Sequence, residues 1–150
     1  MHPLVLVPLL VILDQAIKLF VRYNLHPGRS INLIPGVLKL TYLRNTGAAF
    51  GFLAHETEFL VSVGILAVLA VFYFLRRLPV ERRWTRYGLS LGLAGAIGNL
   101  LDRVRYGYVV DMFQLKHWPG VFNLADVLII SGGILVIIEL LRLDERELRK

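Results

Sequence analysis

Long apolar runs, each broken by only a few polar residues, dominate the chain. A bilayer-spanning helix takes about 20 mostly apolar residues, and four stretches qualify: Pro3–Arg22, Thr57–Leu75, Tyr87–Val104 and Phe122–Leu141. The second is the cleanest, with Ser62 its one hydrophilic interior residue. The third is the weakest by hydropathy, because Asn99, Asp102 and Arg103 interrupt it. Two segments lie between spans on the other side from the ends. The longer, 23–56, carries the turn signals Pro27-Gly28 and Pro35-Gly36, and Val37–Leu43 then reads as strand. A small sheet on the membrane surface is expected there. The shorter, Arg105–Val121, reads as a loop holding Asp111. Gly107 is placed to end the third helix, and Tyr108 and Trp118 suit a lipid–water interface. The expected architecture is an all-α membrane protein of four transmembrane helices, with a small extracytoplasmic β-sheet and an outer loop over the site.

Composition agrees. The 150 residues suit one domain, 1–150, and 56% of them are hydrophobic, with a mean hydropathy of +0.62. A soluble domain of this size has no means of hiding so much apolar surface. The chain has no cysteine, which excludes disulfides, thiolate nucleophiles and cysteine metal sites. The net charge of +6 sits mainly beside the apolar runs, which favours a lipid surface over nucleic acid. Arg76–Arg86 holds five arginines in eleven residues. That density marks a cytoplasmic loop, so four spans put both termini in the cytoplasm. Leu4–Leu13 is followed by Asp14 without a small-x-small cleavage site, and reads as a retained first helix.

Charged groups inside a bilayer are costly, and so are functional candidates by default. At 1.5 Å rise per residue, Asp14 lies roughly 15 Å above the cytoplasmic entry, and Asn99 and Asp102 roughly 18 and 22 Å above theirs. Asn123 and Asp126 open the descending fourth helix. The unusual polar residues therefore gather in the outer half. Asp14 with Lys18, Asn99 with Asp102 and Arg103, and Asn123 with Asp126 are spaced i, i+3 or i+4, so each set shares one helical face. Two close carboxylates cannot both ionise cheaply and retain one proton between them. Such a pair can activate water with one member and polarise a carbonyl with the other. Asp14 and Asp102 have cations beside them in sequence. Asp111 and Asp126 do not, and they are the chosen pair.

These residues fall in five motifs: Asp14-Gln15-x-x-Lys18, Asn45-Thr46-Gly47-Ala48-Ala49-Phe50, Gly95-Ala96-Ile97-Gly98-Asn99-x-x-Asp102-Arg103, Val109-Val110-Asp111 and Phe122-Asn123-Leu124-Ala125-Asp126. In that order the chain resembles lipoprotein signal peptidase, the signal peptidase II family of bacterial membrane aspartyl proteases. The resemblance implies cleavage of a prolipoprotein just before a diacylglyceryl-modified cysteine, with Asp111 and Asp126 catalytic. It implies a supporting set of Asp14, Lys18, Asn45, Gly47, Asn99, Asp102, Arg103 and Asn123, and inhibition by globomycin-type compounds; no cofactor or metal is expected. It further implies a bacterial cytoplasmic membrane location with the site toward the outer leaflet. A monomer in contact with membrane lipid is the expected state. Met112 stands where the family usually has Phe, and Ala94 where Gly is common; both bear on pocket shape. The loop between the two aspartates is short.

Plainer readings stand beside these. Asp14 with Lys18 is first a buried ion pair holding the first helix. Asn45-Thr46-Gly47 is either a turn or substrate lining ahead of an apolar Ala48-Ala49-Phe50 that dips toward lipid. Arg103 either snorkels or meets lipid phosphate or substrate backbone. The glycines 88, 92, 95 and 98 of the third helix either pack or border substrate. His2, His26, His55 and His117 lack metal-ligand spacing. A transporter or proton channel using the acids as a relay is the alternative function, but the inner halves of the second and fourth helices are almost wholly apolar apart from Glu139. A serine–lysine peptidase built on Lys18 lacks a neighbouring serine.

Overall fold

A computed structural model describes residues 3–47, 53 and 56–148, the side chains of 143–148 excepted. Ala48-Ala49-Phe50, and with them the expected dip toward lipid, lie outside the described residues, as do His2 and His55. Four long helices are present: α1, Leu6–Asn24; α2, Thr57–Arg77; α3, Arg83–Tyr106; and α4, Leu124–Leu148. A turn of 3-10 helix, Pro3–Val5, precedes α1. Pro8 falls in the first turn of α1, where its missing N–H has no intrahelical partner to lose. Gly107 ends α3 as expected, at φ +76°, with its N–H on the Arg103 carbonyl.

Three helical stretches are apolar enough to cross a membrane: Pro3–Asn24, Thr57–Arg77 and Leu124–Arg142, with mean hydropathies of 2.3, 2.4 and 2.4. α3 is not among them. It packs against each of the other three helices and is the most buried, from Thr85 to Asp102. A helix enclosed by protein has no need of an apolar surface, so small and polar residues replace the aliphatic ones. Its glycines pack. A Cβ on Gly88 would come within 2.5 Å of the Gly132 carbonyl, and one on Gly95 would strike the Ala125 carbonyl. α3 and α4 thus touch backbone to backbone, as small residues permit in lipid. α2 has the opposite character, with Leu75 its one buried residue.

The segments between helices form one antiparallel sheet, ordered β1 (Ser30–Ile34), β2 (Leu38–Asn45), β3 (Val109–Leu115) and β4 (Val121–Phe122). The expected strand Val37–Leu43 is β2. The expected loop Arg105–Val121 is largely strand, so an all-α description needs correction. Its Val109-Val110-Asp111 run is β-branched and finds a partner in β2, with Asn45 opposite Val109 and Leu43 opposite Asp111. The C-terminal ends of α1 and α3 pack against β3, and β4 runs into α4 through Asn123. Thr57 at the start of α2 donates to the Gly107 carbonyl at 3.0 Å, and the Arg22 guanidinium sits 3.6 Å above the Tyr106 ring.

Strand alternation sorts the sheet residues. Val110, Met112 and Tyr42 turn to one face and pack with Val21 of α1 in a buried cluster. Leu43, Asn45, Val109 and Asp111 turn to the other, where a cavity lies. Met112 therefore bears on the core under the sheet and not on pocket shape. Ala94 belongs to a second core cluster with Val7, Leu93 and Leu128.

Candidate active site

The cavity has a volume of about 860 Å³. Its polar wall holds Asn45, Gly47, Asn99, Arg103, Asp111 and Asp126, and Trp118, Val121, Ile129 and Ile130 are among its apolar residues. Trp118, expected only as an interface anchor, lines the cavity as well.

Asp111 is nearly inaccessible, at 2% exposure. Its Oδ2 accepts from Asn45 Nδ2 at 2.9 Å and its Oδ1 from Asn123 Nδ2 at 2.6 Å. Asp126 Oδ1 accepts from Asn99 Nδ2 at 2.9 Å, and its Oδ2 from the Asn123 backbone N–H at 3.1 Å. Asn123 is the residue before α4, and its Oδ1 accepts the Asp126 N–H at 3.0 Å. This reciprocal exchange is a capping box with Asn and Asp in place of Ser and Glu. One buried asparagine thus joins both aspartates.

Each of the three asparagines has its oxygen occupied. Asn123 Oδ1 holds the Asp126 N–H, Asn45 Oδ1 holds the Gly47 N–H at 2.9 Å, and Asn99 Oδ1 holds the Lys18 ammonium at 2.9 Å. Those bonds fix the amide orientations, so each NH2 group is left to face a carboxylate. Burial pushes the Asp111 carboxyl up to about 6. The Asn45 and Asn123 amides and the Lys18 charge oppose the rise, and the Asp126 charge adds to it.

Behind this wall lies a second polar layer. Lys18 Nζ is 2.9 Å from Asp14 Oδ2 and 3.1 Å from Asp102 Oδ2, and all three side chains are buried. Asp14 Oδ1 accepts the Ala125 N–H at 3.0 Å, one residue before Asp126. Asp102 Oδ2 accepts the Val110 N–H at 3.0 Å, one residue before Asp111. The expected Asp14–Lys18 pair is present, but its cation serves two acids.

Asp102 therefore forms its ion pair with Lys18. Arg103 points elsewhere: its Nη2 donates to the Gly47 carbonyl at 2.8 Å, and its charge is felt by Asp111, then Asp126, then Asp102. The expectation that Asp111 and Asp126 lack a nearby cation holds in sequence and not in space. Arg103 Nε is buried without a hydrogen-bond partner among the described residues, so its role is not simple snorkelling. Gln15 was missed as a supporting residue; its amide nitrogen donates to Asp102 Oδ1 at 2.9 Å and to the Gly98 carbonyl at 3.2 Å. Its place beside Asp14 in the first motif was the available signal. Among the described residues no group of three His, Asp or Glu side chains is arranged to hold a metal ion.

A paired-carboxylate cavity with an apolar wall, carried on apolar helices, suits hydrolysis of a peptide bond within or beside lipid. The family model described as Signal peptidase (SPase) II matches residues 6–142. The chain belongs to the signal peptidase II family. It is 45% identical over 140 residues to the lipoprotein signal peptidase of Moorella thermoacetica, covering 93% of each chain. It is 43% identical over 140 residues to that of Enterococcus faecalis, covering 92% of this chain and 86% of the relative. Among solved structures, a bacterial membrane enzyme determined by the in meso method at 2.3 Å resolution superposes with a TM-score of 0.89 at 34% identity, over 93% of this chain and 87% of that one. Signal peptidase II enzymes are aspartyl proteases of bacterial membranes, and the family sets aside the transporter alternative.

Proposed function

We propose that Asp111 and Asp126 are the catalytic pair, hydrolysing a prolipoprotein just ahead of a diacylglyceryl-modified cysteine. The observation that carries this reading is the shared cavity in which both carboxylates stand, joined through Asn123. A water between them is activated by one carboxylate while the other protonates the scissile carbonyl. Asn45, Asn99 and Asn123 orient the pair, and Arg103 with Gly47 borders the substrate. Asp14, Lys18 and Asp102 hold the chain segments from behind. Ile129 and Ile130 offer an apolar wall to the lipid chains and the signal sequence.

α3 serves as the fourth span. Its 24 residues make about 36 Å of helix, enough for a hydrocarbon core of about 30 Å, and its neighbours shield its polar face. The arginine-rich connection 76–86 sets the α2–α3 end in the cytoplasm, with both termini. The sheet and the cavity then lie toward the outer leaflet of the bacterial cytoplasmic membrane. A monomer in membrane lipid is the expected state of this single domain. Globomycin-type inhibitors are expected to occupy the same cavity.

The test uses detergent-purified protein and a lipidated prolipoprotein. The parent cleaves it, and Asp111→Asn and Asp126→Asn each lose activity by a factor on the order of 10²–10⁴ with the fold intact. Retained cleavage in either variant overturns the reading.

A further inference from the structure

Two aspartates sharing a proton need not share it equally, and their surroundings here differ. We propose that the proton rests on Asp111 and that Asp126 enters the reaction as the carboxylate that activates water. This rests on the catalytic reading above and adds the division of roles.

The donors to Asp126 are the stronger set. It occupies the first turn of α4, a helix of 25 residues, where free N–H groups and the helix dipole favour negative charge. One of its oxygens takes the Asn123 backbone N–H. The other takes an amide proton from Asn99, whose own oxygen faces the Lys18 ammonium. A cation on the far side of an amide polarises its N–H bonds, so Lys18 acts on Asp126 through Asn99. Asp14 and Asp102 share that cation, and Arg103 and Asp111 complete the charged groups around Asp126.

Asp111 has none of these supports. It stands in mid-strand on β3, away from any helix N-terminus. Its two donors are neutral amides, from Asn45 and Asn123, and each carboxyl oxygen keeps a second lone-pair position where a proton can sit. The charges it meets are Asp126, Lys18 and Arg103. Full burial penalises the ionised form, and the upward shift of Asp111 to about 6 runs the same way.

The step closes on itself. Asp126 takes a proton from water as the water oxygen bonds to the scissile carbonyl carbon, and the Asp111 proton passes to the carbonyl oxygen. The C–N bond of the resulting diol then breaks. Asp126 delivers its proton to the departing nitrogen, and one hydroxyl returns a proton to Asp111, restoring both groups.

The measurement is a carboxyl carbon-13 NMR titration of the intact protein in detergent micelles, with labelled aspartate. Resonances are assigned by their loss in Asp111→Asn and Asp126→Asn, or by through-bond correlation where a variant does not fold. The Asp111 signal is expected to shift with a midpoint near about 6, and Asp111 is expected to be the later of the two aspartates to give up its proton. A higher midpoint at Asp126, equal shifts at both sites, or two carboxylates ionised throughout would each overturn the assignment. Cleavage retained by Asp111→Asn would instead sink the catalytic reading and leave the titration result standing.

Discussion

Asp102 accepts the backbone N–H of Val110 at 3.0 Å, one residue ahead of Asp111. Asp14 accepts the N–H of Ala125 at the same length, one residue ahead of Asp126. The two acids close on one ammonium, that of Lys18. A single buried cation thus ties together α1, α3, the strand carrying one aspartate and the helix start carrying the other. The spacing of Asp111 and Asp126, the proposed catalytic pair, is set from behind, by groups that do not line the cavity.

Lys18→Met is accordingly expected to be severe. It leaves two buried carboxylates without a cation, and breaking a buried pair in this way costs about 3–5 kcal/mol. Thermal unfolding in detergent reads that loss as a large fall in Tm. A triple variant with Asp14→Leu and Asp102→Leu added removes the stranded charges and recovers part of the stability. It still leaves the Ala125 and Val110 N–H groups unpaired, so cleavage stays low. Cleavage restored along with stability would show that the triad only fills space.

Asn123 has two duties that substitution can separate. Asn123→Ala removes a helix cap worth about 1 kcal/mol and the arm that reaches Asp111. Asn123→Ser keeps a capping oxygen and loses only the arm. The serine variant is expected to melt close to the parent and yet lose cleavage by roughly tenfold to a hundredfold, as befits a buried acceptor left without its donor at about 1–3 kcal/mol. Paired Tm and kcat/KM measurements check this; full activity in the serine variant would reduce Asn123 to a cap.

Much of this arrangement is legible in the chain, and the reasons differ by residue. Asn123-x-x-Asp126 follows helix-start spacing, so the polar face of α4 is local information. Asp14 and Lys18 are one helical turn apart, and their pairing follows from that alone. The second acid on Lys18 does not, because Asp102 reaches it only through the packing of α1 on α3. Arg103 misleads for a related reason. Adjacent helical residues point about 100° apart, so the cation next to Asp102 in sequence serves the cavity instead. The hydropathy of α3 misleads too, since enclosure by three helices removes the demand for apolar side chains. Asp111 was expected in a loop because a short strand buried on both faces carries no clear alternation, and its pairing with β2 spans more than 60 residues of chain.

The pH response of Asp111 has a definite sign. Asn45 donates to its Oδ2 and thereby favours the ionised form. Asn45→Leu removes that donor, so the midpoint rises further above about 6. With Asp111 as the acid, the alkaline limb of the kcat/KM profile moves to higher pH, while the maximum falls because the carboxyl is less well oriented. A limb that moves to lower pH would contradict the assigned cause. Asp126→Asn removes a negative neighbour and should lower the Asp111 midpoint, though not to the ordinary value of 3.8, since burial is the largest cause of the shift.

The contact of α3 with α4 sets the height of Asp126. Gly95 lies against the Ala125 carbonyl, the residue before that aspartate. Gly95→Val forces the helices apart, and overpacking of this kind costs about 1–3 kcal/mol. Cleavage is expected to fall more than stability, since the shift falls at the start of α4. Gly92→Ala, where an added Cβ meets nothing within 4 Å, should leave both unchanged. Parallel Tm and cleavage measurements on the two variants separate a specific contact from a general intolerance of larger residues in α3.

At the opposite end of the bundle, Glu139 Oε2 accepts the Thr85 backbone N–H at 2.6 Å. Thr85 lies in the first turn of α3, and no side chain of α3's own N-terminus caps it. A carboxylate from α4 therefore does the work of a cap across the helix interface, where the dipole favours its charge. Glu139→Ala removes it and is expected to cost about 0.5–2 kcal/mol, read as a lower Tm in detergent. Glu139→Gln keeps an acceptor oxygen and should recover part of that loss. Because the residue stands far from the cavity, kcat/KM below the melting transition should match the parent in both variants. A Glu139→Ala protein that kept its Tm would show that solvent caps α3 equally well.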